Sequence, residues 1–211
     1  MEIILNLPES IQLSGDYIVL KPNITESEFW EIANEDTNFE LIDGVLVIHS
    51  PASTEHEQIF HQLSQIFAIL LEEPKHGQVF GSRLVMRLSP KWNVEPDLMI
   101  LSPQNYQRIT PTRIEGPADL VFEILSDSTR EIDLTKKIPY YLNNGVKEVW
   151  IIDPKFESIE IHNSTNIRTY SKTQDEDWVS STIIPQIRIK GKWVWNRTEY
   201  PAIKIIRQIL T

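Results

Sequence analysis

The sequence predicts one domain of the α/β (α+β) class, a mixed central β-sheet flanked by helices, and three observations predict it. Val94–Leu101 and Asp119–Ser126 are runs of β-formers bounded by turn residues, as buried strands are. Ile59, Phe60, Leu63, Ile66, Phe67, Leu70 and Leu71 recur at helical spacing. Between Asp119 and Asp153 the order is strand, helix, strand, which implies a crossover and a parallel pair. A chain of 211 residues with 41% hydrophobic content suits a single sizeable core over residues 1–211.

The elements follow in order. Thr25-Glu26-Ser27-Glu28 is a capping box, and a short helix with Phe29, Trp30 and Ile32 should follow and clamp the sheet. Asn38–Ile48 alternates around Asp43-Gly44, the strongest short hairpin signal. Glu40 lies inside this hairpin, where an exposed strand residue is the ordinary expectation. Thr54-Glu55-His56-Glu57 reads as a second capping box, heading the amphipathic helix. His56 stands in its first turn as a polar helix-end residue. His61 follows His56 at i+5, off the face that a paired-histidine zinc helix requires, and that chemistry is rejected. Gln78–Leu88 reads as one strand. Ser102–Pro117, with three prolines and one glycine, reads as a loop whose Arg108 and Arg113 could touch substrate, solvated loop charges being the ordinary expectation.

Ser128 or Thr129 caps the next helix, with Asp133 and Lys137 on one side. Pro139 should bend or weaken it, and Asn143-Asn144-Gly145 should end it. Lys147–Asp153 and Ser158–His162 are strands. Beyond them come β-like pieces at Ile183-Ile184 and Ile187–Ile189, the pair Trp193 and Trp195, and a last helix through Ile203, Ile206 and Ile209.

The chemistry centres on two acids. Asp97 and Glu123 each stand alone within an apolar run, and burying an unpaired carboxylate costs several kcal/mol, so each asks for a cation. A divalent metal is one answer and a lysine or arginine partner the other. Asp97, Met99 and Leu101 share one face of their strand, and Val121, Glu123 and Leu125 share one face of theirs. If the strands are neighbours, both carboxylates can meet, with Lys137 reaching the same point from the helix.

Pro96-Asp97 and Glu123-Ile124-Leu125 resemble the two halves of the PD-(D/E)XK nuclease signature, except that Leu125 stands where the signature lysine should be. Phe39–Gly44, Ser50-Pro51 with His56, Asp133 with Lys137, and Gly145–Pro154 extend the likeness, in order and spacing, to the Uma-type family of putative restriction endonucleases. The similarity covers roughly residues 38–162, leaving 163–211 as a C-terminal extension. It implies a restriction-endonuclease-like core and a Mg²⁺-dependent DNA endonuclease, with Mn²⁺ as a substitute. In that scheme Asp97, Glu123 and the Ile124 carbonyl hold the metal through hard oxygen ligands. Lys137, relocated to the helix, is the third catalytic residue, orienting water or stabilising charge. Glu40 and His56 are supporting candidates. A homodimer is expected, because cutting both strands of a duplex is simplest with two-fold-related sites.

Composition narrows the alternatives. Cysteine is absent, which excludes disulfides and thiolate metal sites and suits a reducing cytosol. With no apolar run of membrane-spanning length, a soluble cytoplasmic protein is expected. No phosphate-cradling glycine loop and no G-x-S-x-G elbow occurs. The net charge of −10 opposes a nucleic-acid substrate, but the acid is concentrated at one end. Residues 1–73 hold fourteen acids against Lys21 alone, whereas 74–94 carry only Lys75, Arg83, Arg87 and Lys91. Three readings follow: a metal-dependent nuclease, a silent member of the same fold that binds nucleic acid or protein, and a structural protein.

Overall fold

The computed structural model describes residues 16–34, 36–81 and 83–210. The elements in chain order are β1 (Ile18–Lys21), α1 (Glu26–Ile32), β2 (Phe39–Ile42), β3 (Val45–His49), α2 (Thr54–Leu71), β4 (Gln78–Gly81), β5 (Val85–Ser89), β6 (Trp92–Val94) and β7 (Leu98–Leu101). A 3-10 helix (Pro103–Arg108), β8 (Arg113–Glu115) and β9 (Leu120–Ile124) follow. Then α3 (Arg130–Ile132) runs through a π-turn segment (Asp133–Lys137) into α4 (Ile138–Asn143). The rest comprises β10 (Glu148–Asp153), β11 (Ser158–His162), β12 (Ile167–Tyr170), β13 (Trp178–Ser180), β14 (Arg188–Lys190), α5 (Gly191–Trp195) and α6 (Ala202–Leu210).

Two six-stranded mixed sheets share the work. One has the order β1-β3-β2-β6-β5-β8 and the other β12-β11-β10-β9-β7-β4. In the second, β9 and β10 are parallel across the α3–α4 crossover, as the connection demands, and β7 pairs antiparallel with β9. Side-chain alternation along β9 feeds two cores. Leu120, Phe122 and Ile124 pack with α2 and with Ile187, Trp193 and Ile205 from the C-terminal part. Val121 and Leu125 face the first sheet and α4, among Val47, Met86, Ile138 and Tyr141. A third cluster seats α1 on the hairpin through Phe29, Ile32, Leu41 and Leu46.

Thr25 caps α1 in the expected capping box, the Asp43-Gly44 hairpin forms, and Gly145 ends α4 at φ +100°. Several expectations are corrected. Ser53, one residue earlier than expected, caps α2 by accepting from the His56 N–H, and position N3 is then a histidine that cannot close a capping box. Gln78–Leu88 is not one strand but β4 in the second sheet and β5 in the first, changing sheets near Arg83, whose φ is +72°. Val94–Leu101 likewise divides into β6 and β7, because Pro96 has no N–H to continue a ladder. Asp97 therefore lies in the crossing between sheets, immediately before β7. The stretch 102–117 holds a 3-10 helix and β8 rather than a plain loop. Its arginines are engaged: Arg108 donates to the Pro117 carbonyl, and Arg113 pairs with Glu115. Ile183-Ile184 is not a strand; β13 and β14 form the small sheet instead.

Candidate active site

Glu123 belongs to the face of β9 that points between the sheets, toward the crossover helix. That helix opens at Thr129 and meets Pro139, which cannot donate a backbone hydrogen bond. Just before the proline the backbone widens: the Ile138 N–H reaches the Asp133 carbonyl, an i to i−5 bond. In a regular α-helix, residues four apart drift by ~40°. The wider turn offsets that drift, so Asp133, Lys137 and Tyr141 stay on one face.

That face closes on Glu123 and on Glu40 from β2. Lys137 Nζ lies 2.8 Å from Glu123 Oε1, 3.1 Å from Glu40 Oε1 and 3.2 Å from Asp133 Oδ1. The Tyr141 hydroxyl donates to Glu123 Oε1 at 2.8 Å. Glu40, Glu123, Asp133 and Lys137 are all at most 4% exposed. Lys136 is exposed, so Lys137 is the inward lysine. Glu40 is thus buried rather than solvated, held also by the Glu95 N–H at 2.8 Å and by His49 Nε2 at 2.9 Å.

Asp97 approaches from the strand next to β9. The register Leu98 to Phe122 and Met99 to Val121 continues to place Asp97 opposite Glu123. Its Oδ2 accepts from the Ile124 N–H at 2.7 Å, and its Oδ1 lies 3.0 Å from His56 Nε2. The Asp97 side chain keeps 21% exposure, so it stands where the buried cluster meets solvent. Gly81 fixes this placement, because a Cβ there would lie 2.5 Å from the Asp97 carbonyl oxygen.

The charges do not balance. Burial pushes Glu123 up to about 8; Lys137 pulls it down, but Asp133, Asp97 and Glu40 push against that pull. Burial also raises Asp133. Glu95 is pushed to about 9 by burial and by Glu40, and its Oε2 is buried with no hydrogen-bond partner. Glu40 alone among these falls, to about 2, because Lys137, His49 and the Glu95 N–H outweigh its burial. Lys137 rises well above its ordinary value, since Glu123, Glu40 and Asp133 together outweigh desolvation, and it remains an ammonium. The His56 imidazole rises too, because Asp97 outweighs burial. Three carboxyl groups thus share one lysine, with Asp97 and Glu95 beside them.

This donor set fits a hard divalent cation, since oxygen ligands and surplus negative charge are what Mg²⁺ takes. Among the described residues no three acids or histidines are already gathered as a ligand set, so an ion here would rest on Asp97, Glu123 and main-chain oxygen, with water completing its shell. Tyr141 and Glu95 were not singled out from the sequence. Tyr141 carried a signal, at i+4 from Lys137; Glu95 carried none, being one acid in a turn.

The two-sheet core thus brings one acid from each of two neighbouring segments, Asp97 and Glu123, together with Lys137 from the crossover helix. The chain belongs to the Uma2 family, described as "Putative restriction endonuclease", whose model matches residues 25–190. That span reaches beyond both ends of the likeness legible in the sequence. The fold is also that of a putative nuclease belonging to DUF820 from Anabaena variabilis, known from a crystal structure. The match has a TM-score of 0.71 at 18% identity and covers 82% of this chain and 98% of that one. No curated protein matches the chain. Among the described residues no helix is long and apolar enough to cross a membrane.

Proposed function

We propose that the protein is a metal-dependent endodeoxyribonuclease whose site is Asp97, Glu123 and Lys137, supported by Glu40, His56 and Tyr141. The observation that carries this reading is the unbalanced acid cluster, which meets solvent at Asp97 and Glu95. Asp97, Glu123 and the Ile124 carbonyl would hold Mg²⁺, or Mn²⁺ in its place. When bound, such an ion polarises a phosphate and lowers the pKa of a coordinated water.

The chain's own residues do the rest. Lys137 stays protonated, so it cannot accept a proton; it offers a fixed positive charge to the attacking water or to the oxygens of the phosphate. Glu40 and Asp133 hold that ammonium in place, and Tyr141 orients Glu123. His56 fixes Asp97 and sits at the rim, where its raised basicity suits a phosphate oxygen.

Purified protein should cleave DNA with Mg²⁺ or Mn²⁺ and not with EDTA, and Asp97→Ala should be inactive. Salt-dependent DNA binding without cleavage under any metal would instead establish the silent binder, a reading favoured by the three carboxylates already on Lys137. Cutting both strands of a duplex would call for a homodimer, which sedimentation at micromolar concentration tests.

A further inference from the structure

Beside the carboxylate centre a cleft of about 1400 Å³ opens, with Asp97 and His56 in its lining. Pockets for single small molecules span about 300–1,000 Å³, so this one has room for a length of chain. Its wall includes Trp30, Phe39, Leu84 and Pro111. Trp30 is already oriented: its indole N–H donates to Glu26 at 3.4 Å, the Arg113 guanidinium lies 4.9 Å from its ring centroid, and Phe29 meets it edge-on at 5.0 Å. Among the described residues lining the cleft, Arg83 is the one lysine or arginine, whereas Asp36, Glu57, Glu95 and Asp97 are acidic.

A duplex presents phosphates on its outside and is bound mainly through lysine and arginine, of which the described lining carries Arg83 alone. An unpaired strand carries its phosphates at about half the linear charge density of a duplex, and it also offers base faces that stack on aromatic rings. We propose that the cleft seats an unpaired stretch of DNA, stacked on Trp30 and Phe39, so that the enzyme acts on single-stranded DNA in preference to continuous duplex. The inference rests on the nuclease reading above and names its substrate form.

The test uses the full chain with Ca²⁺ in place of Mg²⁺ and measures anisotropy of one labelled oligonucleotide, single-stranded and annealed to its complement. Cleavage of both forms under Mg²⁺ is followed in parallel. The single strand should bind at least about tenfold more tightly and be cut faster. Trp30→Leu should weaken single-strand binding about tenfold, the usual scale of one lost base–aromatic stack, while Trp30→Phe keeps most of it. Both variants lose the indole N–H and its bond to Glu26, so a role confined to that bond would move both alike, in binding and in thermal unfolding. Equal binding by the two variants overturns the proposal. Duplex bound and cut as well as the single strand also overturns it and leaves the nuclease reading standing. Neither form bound nor cut removes both.

Discussion

Strand β9 has a buried acid at each end, and the two have opposite fates. Asp119, just before the strand, accepts from the Ser102 N–H and hydroxyl at 2.8 Å each, from Asn105 Nδ2 at 2.8 Å and from Lys147 Nζ at 2.6 Å. Burial pushes its pKa up, but these donors win and hold it below the ordinary value. Glu123, equally buried, must share Lys137 with Glu40 and Asp133 while facing Asp97, and ends near 8. Burial of an acid is therefore no sign of function by itself. A buried acid left short of positive charge is a stronger sign, because it must either keep its proton or take charge from a bound group.

The sharpest break of this contrast is kinetic. Asp97→Ala and Glu123→Gln should each lower cleavage on the order of 10³-fold or more, as should EDTA. Yet Glu123→Gln should leave the unfolding midpoint unchanged or raise it, because glutamine mimics an acid that already tends to be neutral at pH 7. A midpoint that falls by several degrees would show the site to be balanced without an ion.

Lys137→Ala tests the same imbalance from the cation. Leaving the buried carboxylates unpaired should cost about 3–5 kcal/mol at neutral pH. The sign with pH follows from Glu123, whose folded value of about 8 exceeds its ordinary 4.5. Its contribution is fully present below pH 4.5 and is lost as pH rises through 8, so stability should fall over that window in EDTA. Lys137→Ala should steepen the fall. Urea titrations at pH 5 and pH 8 check it; a deficit equal at both would contradict it.

At the other end of β9 the expected effects are smaller and confined to stability. Asp119→Ala leaves buried donors unmet and should cost about 2–3 kcal/mol. Cleavage per folded molecule should be unchanged, as measured by titrating active sites. A kinetic loss comparable with that of Asp97→Ala would erase the distinction between the two acids.

Much of this was legible in the sequence because local signals and tertiary packing agree. The Asp43-Gly44 turn, the spacing along α2 and the i, i+4 pair Asp133 and Lys137 each express one physical preference. What was not legible depends on partners far away. Glu40 reads as exposed because its cation is 97 residues off. The two sheets read as one because the β-formers run on through Arg83 and through Pro96, although a proline inside a strand run already argues for a break. The π-turn has no signal beyond Pro139; what it achieves, Lys137 and Tyr141 both on Glu123 with Asp133 on the same face, depends on a strand far away in the chain.

The smallest expected effect lies on the segment that delivers the lysine. Arg130, seven residues before Lys137, donates to both oxygens of Asp153 at 2.6 and 2.8 Å, tying the start of the crossover to the end of β10. Burial would raise the Asp153 pKa, but Arg130 and the Lys155 and Phe156 N–H groups outweigh it, so the value is lowered from 3.8. A depressed acid contributes stability that is present above its unfolded pKa and lost as pH falls through the folded one, so this pair should matter at pH 7 and fade below about pH 3.8. The arginine is a quarter exposed, which screens the pair and limits Arg130→Met to about 1 kcal/mol. Asp153 is a satisfied acid like Asp119, but it anchors the element that brings Lys137 to Glu123. Arg130→Met should therefore lower kcat a few-fold with KM unchanged, whereas Asp119→Ala lowers neither. If both variants leave kcat intact, the lysine is placed by its own carboxylates alone, and the anchor serves only stability.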